Sequence, residues 1–191
     1  FLLLVVPTVM SEINGNPAIA KMGIAQTTGA MEGKEVRFGP AISGFWSIAT
    51  TVISTGSVNS MHDSSMPVSG AMQLLAMMIN AFYGGCGVGY LNFYIFIILA
   101  VFISGLMVGR TPEFLGKKIE AQEVKIAAFI AILHPLLILS GTALASYFAA
   151  NDTAMGYWFS GNATGWLNNP GNHGFSEMLY EYTSSAANNG S

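Results

Sequence analysis

The stretch "VISTGSVNS" (52–60) has a distant counterpart in "SSAANNGS" (184–191), and how these two are read decides the fold. Each joins hydroxyl or amide side chains to one glycine, each follows a segment with helical character, and neither holds a charge. The chain around them is strongly apolar. Of 191 residues, 52% are hydrophobic and only 9% are Asp, Glu, Lys or Arg, against roughly 25% charged in a typical soluble domain. Mean hydropathy is +0.51. Such a composition suits lipid as the solvent.

The net charge of −3 comes with no basic tract, which argues against nucleic acid as a partner. Cys86 is the single cysteine, so no internal disulfide is possible, and it is expected to pack as a small apolar side chain. "FLLLVVPTV" (1–9) lacks the basic start and small-residue cleavage pattern of a signal peptide. The chain begins at Phe1 and stops beside a polar loop, so it is expected to be a piece of a longer protein.

Working outward from the first loop, residues 39–58 read as a short semi-polar helix, Gly39–Ser54, and its glycine loop. The helix would be about 24 Å long and contains Ser43, Gly44, Ser47, Thr50 and Thr51. A re-entrant helix fits, because irregular backbone at membrane depth must be buried in protein or line a water-filled cavity. Before it, residues 1–10 read as the end of a span and 11–38 as an outer loop. After it, 59–109 reads as an outer segment and a span interrupted by "GGCGVG" (84–89). Each glycine penalises a continuous helix by about 1 kcal/mol, so two pieces are expected, near Val68–Phe82 and Leu91–Val108. The spaced glycines lack the strand–helix context of a nucleotide loop.

Residues 110–125, "RTPEFLGKKIEAQEVK", hold Arg110, Lys117, Lys118 and Lys125, four of seven basic residues. Short Lys/Arg-rich loops lie on the cytoplasmic side. Residues 126–150 form the simplest span, with His134 as its titratable group. Residues 151–172 form an outer loop whose Tyr157, Trp158 and Trp166 suit the headgroup zone. Residues 173–191 repeat the plan of short helix, His173–Ala187, and polar glycine loop. If 66–109 crosses the membrane once, the two loops start from the same side; if twice, from opposite sides. The residues by themselves leave both open.

A cation leaving water must exchange its hydration shell for other oxygens, and rings of backbone carbonyls or of carboxylates both serve. Glycine permits the backbone angles that aim successive carbonyls at one axis, which singles out Gly56 and Gly190. Ser54, Thr55 and Ser57, and Asn188, Asn189 and Ser191, are placed to add side-chain oxygens or to brace the loops. The preceding helices would point negative C-terminal ends at the ion. With no Asp or Glu in either loop, a carbonyl site is favoured over a carboxylate one. On pattern alone, a transport pore and a scaffold with glycine turns both remain.

"MEGKEVRFG" (31–39), "TTVISTGSVNSMHDS" (50–64), "GLMVGRTPEFLGKKIE" (105–120) and "NPGNHGFSEMLYEYTSSAANNGS" (169–191) resemble the potassium-binding A subunit of the bacterial Kdp potassium-transporting ATPases, in the same order and across the whole chain. The resemblance implies an all-α membrane protein of the potassium channel-like transporter superfamily, built from span–pore helix–span repeats. It makes this chain the third repeat and part of the fourth, with Ser54, Thr55, Gly56 and Ser57 on one filter segment and Asn188, Asn189 and Gly190 on the next. It implies a single crossing for 66–109, with Gly84, Gly85, Gly87 and Gly89 as a gate-like break below the filter. Potassium is then the bound ion. The chain would hydrolyse nothing itself, its partners being an ATP-hydrolysing P-type subunit, a single-span C subunit and a small accessory peptide in the bacterial inner membrane. The rival within the superfamily is an ATPase-independent channel or secondary potassium transporter. No "DKTGT" or "GxxxxGK[ST]" motif is present.

Other residues have simpler readings. His134 is expected to be a neutral packing histidine, with Pro135 kinking its helix. His62 and His173 lack clustered ligands at metal spacing, and the methionines fill gaps between helices. Asp63 suits an outer mouth, Arg110 a headgroup anchor, and Glu177 and Glu181 a solvated or hydrogen-bonded helix face. The sequons at 151, 162 and 189 carry no weight in a bacterial membrane protein.

Overall fold

The computed structural model describes residues 1–151, 167–169 and 171–191. The chain divides into two compact units, one of Phe1–Asn80 with Thr183–Ser191 and one of Ala81–Tyr182. Tyr157, Trp158, Trp166 and the first two sequons lie outside the described residues, except for Asn151 of the first.

In the first unit, α1 (Leu2–Asn14), α3 (Gly39–Val52) and α4 (Pro67–Ile79) pack on one another, and α2 (Pro17–Lys21) is a single short turn-rich helix. α1 runs four residues beyond the expected span end at residue 10, and stops where Gly15 turns to φ 76°. Pro40 and Pro67 stand in the first turns of α3 and α4, where the missing N–H costs nothing. The core is unusual in being largely polar. Thr8, Glu12, Ser43, Ser47, Thr50, Thr51, Ser69 and Gln73 are all buried, beside Ile48, Val52, Ala76 and Met77. Hydroxyls can be buried when bonded, and several here bond to their own helix: Thr8 Oγ1 to the Leu4 carbonyl (2.8 Å), Ser47 Oγ to Gly44 (2.8 Å) and Thr51 Oγ1 to Ser47 (2.9 Å). Apolar residues such as Leu3, Val6, Ile42 and Phe45 are exposed instead.

The second unit holds α5 (Val88–Val108) and α6 (Ala121–Asn151), packed together, and most of α7 (Gly171–Ala186), whose last turn belongs to the first unit. α5 and the Ala121–Ala149 stretch of α6 are long and apolar enough to cross a membrane, with window hydropathies of 2.4 and 2.0. At 1.5 Å per residue α5 is about 31 Å long, matching the roughly 30 Å hydrocarbon layer. Only Gly89 of α5 is buried.

The loop expected at 110–125 is shorter and more ordered than its composition suggests. A hairpin pairs β1 (Glu113–Phe114) with β2 (Lys117–Lys118), Glu113 facing Lys118 and Phe114 facing Lys117. Its two-residue turn, Leu115 at φ 51° and Gly116 at φ 77°, has the doubly left-handed backbone of tight hairpins. α6 starts five residues before the expected span, inside that loop. A hydrogen bond and charge from Glu123, 3.0 Å away, raise the Lys117 pKa. The α6 helix continues through Pro135.

The glycine break lies between α4 and α5, with Asn80, Gly85, Cys86 and Gly87 all left-handed. Two expectations change here. Gly89 is not in the break but in the first turn of α5, where the Phe82 carbonyl occupies the space a Cβ would need. Cys86 is exposed rather than packed, because its left-handed position sits at the turn itself.

Candidate functional site

The two glycine loops are built alike. At the end of α3, Ile53 N–H bonds to the Ala49 carbonyl (3.3 Å), Ser54 N–H to Thr51 (3.3 Å) and Thr55 N–H to Thr50 (3.0 Å). At the end of α7, Ala187 bonds to Thr183 (2.9 Å), Asn188 to Ser185 (3.1 Å) and Asn189 to Ser184 (2.9 Å). Every donor and acceptor in one set is 134 residues from its match in the other, so the set aligns Ser54 with Asn188, Thr55 with Asn189 and Gly56 with Gly190. Ser54 and Asn188 both adopt φ 53°. A helix that closes through a left-handed residue satisfies its last carbonyls while turning the chain sharply away. Short polar side chains tolerate that conformation best after glycine, which explains serine and asparagine at these positions.

The matched hydroxyls Thr50 and Ser184 brace both loops with opposite polarity. Thr50 Oγ1 donates to the Thr55 carbonyl, whereas Ser184 Oγ accepts from Gly190 N–H at 3.0 Å. The Trp46 indole donates to the Ser57 carbonyl at 2.7 Å, and Ser54 Oγ bonds Asn80 Oδ1 at 2.9 Å, tying the first loop to the C-terminal cap of α4.

The loops meet. A Cβ on Gly56 would stand 2.6 Å from the Gly190 carbonyl oxygen and 3.3 Å from that of Asn189. The glycines are therefore required for different reasons. Gly190 has φ 82°, open chiefly to glycine; Gly56 lies outside the left-handed region and is needed for close approach. Both α3 and α7 bring C-terminal ends, the negative ends of their dipoles, to this meeting point. Thr55, Gly56, Ser57, Asn188 and Gly190 are exposed, Ser54 and Ser191 are partly so, and Asn189 is 5% exposed.

The structure thus brings the two loops into contact at Gly56, Asn189 and Gly190, and gives several of the eight loop residues singled out from the sequence bracing bonds. The Thr55 and Ser57 carbonyls each accept one scaffold hydrogen bond, which leaves a second lone pair on each. The Asn189 side chain donates from Nδ2 to the Thr51 carbonyl at 2.8 Å. Gly84, Gly85 and Gly87 fall in the other unit, as does Glu177. The Glu177 carboxylate accepts from the Asn168 and Asn169 amides at 3.2 and 3.1 Å, the hydrogen-bonded reading of that residue.

Sequence reasoning missed the buried ion pair behind α3. Lys34 Nζ lies 3.0 Å from Glu12 Oε2, with the two side chains 2% and 1% exposed. Glu12 Oε1 also accepts from Met66 N–H at 3.0 Å, and its Cγ would be 3.3 Å from a Cβ on Gly44. One carboxylate thereby joins the loop that carries Lys34, α3 and the start of α4. The signal available was that Glu12 is the only charge in the first 20 residues. His62, packed in the 3₁₀ turn His62–Ser64, has its pKa lowered by burial to about 4. Among the described residues no cluster of three His, Cys, Asp or Glu could hold a metal ion.

Comparison with known proteins agrees along the whole length. The family model described as "Potassium-transporting ATPase A subunit" matches residues 1–191. The chain is 95% identical over 191 residues to a Flavobacterium johnsoniae protein named "Potassium-transporting ATPase potassium-binding subunit", covering all of this chain and 33% of that one. It is 93% identical to a Flavobacterium psychrophilum protein of the same name, with the same coverage. To the Phocaeicola vulgatus protein of that name it is 63% identical over 183 residues, covering 96% of this chain and 32% of the relative. The chain spans about a third of the length of these curated relatives. Mostly helical in structure, it belongs to the potassium-transporting ATPase A-subunit family of membrane proteins.

Proposed function

We propose that residues 54–57 and 188–191 are two segments of a potassium-selective filter, and that the chain is part of the channel-like subunit of an ATP-driven potassium uptake complex. The observation that supports this most is the contact of two loops with matched hydrogen bonds at the C-terminal ends of two short helices. Backbone oxygens from Ser54, Thr55, Gly56, Asn188, Asn189 and Gly190 would replace water around a dehydrated potassium ion. The loops lack carboxylates, so selection would rest on carbonyl spacing with the helix ends adding a favourable potential. The meeting of the loops also favours a single membrane crossing for the broken segment, with the glycine break acting as a gate.

In this reading the chain hydrolyses nothing, and a P-type subunit supplies the energy, with a single-span C subunit and a small accessory peptide beside it in the bacterial inner membrane. The relatives' shared name, a subunit of an ATPase, favours that over an autonomous channel.

The test is Gly56→Asp in the full-length subunit within its complex. The added carboxylate collides with the Gly190 carbonyl and brings charge to the site. Apparent potassium affinity should fall at least about tenfold, as two acceptors are forced together at a cost of 1–3 kcal/mol. Uptake kinetics and ion preference identical to those of the unaltered complex would refute the filter reading.

A further inference from the structure

We propose that the Asn189 side chain, through its Nδ2, is the clasp that fixes the spacing of the two loops, and with it the ion size they accept, while its Oδ1 is buried without a hydrogen-bond partner. This rests on the filter reading above. Asn189 Nδ2 donates to the Thr51 carbonyl across 138 residues of sequence, in a buried bond of 2.8 Å. The amide orientation is dictated, since the swapped rotamer would set two acceptors face to face. Thr51 is in the last turn of α3, and its carbonyl also receives the Ser54 N–H at 3.3 Å. Both loops therefore hang from one oxygen.

Gly56 lies so close to the Gly190 carbonyl that a methyl group would stand 2.6 Å from it. The absence of a side chain at Gly56 permits this approach, and the Asn189 bond keeps the loops from separating. The backbone of Asn189 is fixed independently through its N–H to Ser184, 2.9 Å, so the side-chain bond governs spacing rather than loop shape. The matched residue Thr55 offers no reciprocal tie, because its hydroxyl donates to Ile53 in its own loop at 3.3 Å. Between these two segments, the clasp is one-sided and belongs to Asn189.

The test uses the assembled complex with the full-length subunit, comparing potassium- and rubidium-stimulated ATP hydrolysis for Asn189→Leu, Asn189→Asp and Asn189→Gln. Leu removes donor and acceptor; Asp keeps the oxygens and loses the donor; Gln keeps both on a longer arm. The ratio of apparent affinities for the two ions should shift about five- to tenfold in both Leu and Asp variants, the size of one lost hydrogen bond, with Gln recovering part of it. An Asp variant with the unaltered ratio overturns the clasp and marks the side chain as an oxygen ligand. Unaltered ratios in both Leu and Asp overturn it as well. Should the Leu variant not assemble, Asp against Gln decides. Gly190→Ala is run alongside: if it too leaves affinity and ion preference untouched, the filter reading itself has failed, whereas a change there with none at Asn189 removes the clasp alone.

Discussion

Glu12 and Lys34 form a buried ion pair. Replacing one partner of a buried ion pair leaves the other charge uncompensated, at about 3–5 kcal/mol. Glu12→Gln should therefore lower the thermal midpoint of the purified full-length subunit markedly, and Glu12→Leu with Lys34→Met should recover much of the loss. A double variant no more stable than the single would show that the cost lies in packing rather than charge. His62 behaves differently. Its pKa of about 4 in the fold lies below the ordinary 6.5, so between those values the unfolded chain binds more protons. Stability is complete above about pH 6.5, declines as pH falls toward 4 and loses no more below it, by up to about 3 kcal/mol at 1.36 kcal/mol per pKa unit. Melting curves at pH 7 and pH 5 should separate by several degrees, and His62→Gln should narrow the gap. His62, like the loop polars and glycines, stood out in the sequence. The Glu12–Lys34 pairing did not, because its members lie 22 positions apart and only the folded loop between α1 and α3 returns one to the other.

At the level of elements, the short helices were legible because polar and small residues recur on one face of α3: Ser43, Gly44, Ser47 and Thr51 are all buried. The break after α4 was legible as clustered glycine, but its extent was not. Gly89 lies within the helix because a helical glycine can serve close packing as well as a turn, and sequence alone does not distinguish the two. The hairpin of residues 113–118 was hidden by its charges, which read as a solvated loop. Gly85 and Gly87 take φ 67° and 96°, so alanine at either position is strained by about 1–2 kcal/mol. If the break is a gate, Gly85→Ala and Gly87→Ala should slow potassium uptake with little change in apparent affinity. A shifted affinity at normal rate would move these glycines from gating to binding.

On the scale of the whole chain, the composition predicted lipid as the solvent, and the distribution of residues bears that character. Hydroxyl, amide and carboxylate groups fill the first unit's core, while in α5 only Gly89 is buried and many of the apolar side chains are exposed. This follows from satisfying polar groups internally where water is absent. Legibility was greatest where a pattern is local, as in hydropathy and glycine spacing, and least where contacts join distant segments, as between Asn189 and Thr51.

The matched loops carry one more consequence. Each is specified within nine residues, 49–57 and 183–191: no donor in either set lies more than five positions from its acceptor, and nothing in the constant offset of 134 demands a particular length for what lies between. If the two loops form the proposed ion site, lengthening or trimming the chain between residues 152 and 166 should be tolerated by it, whereas a single residue inserted between Ser184 and Gly190 would rotate every later carbonyl out of line.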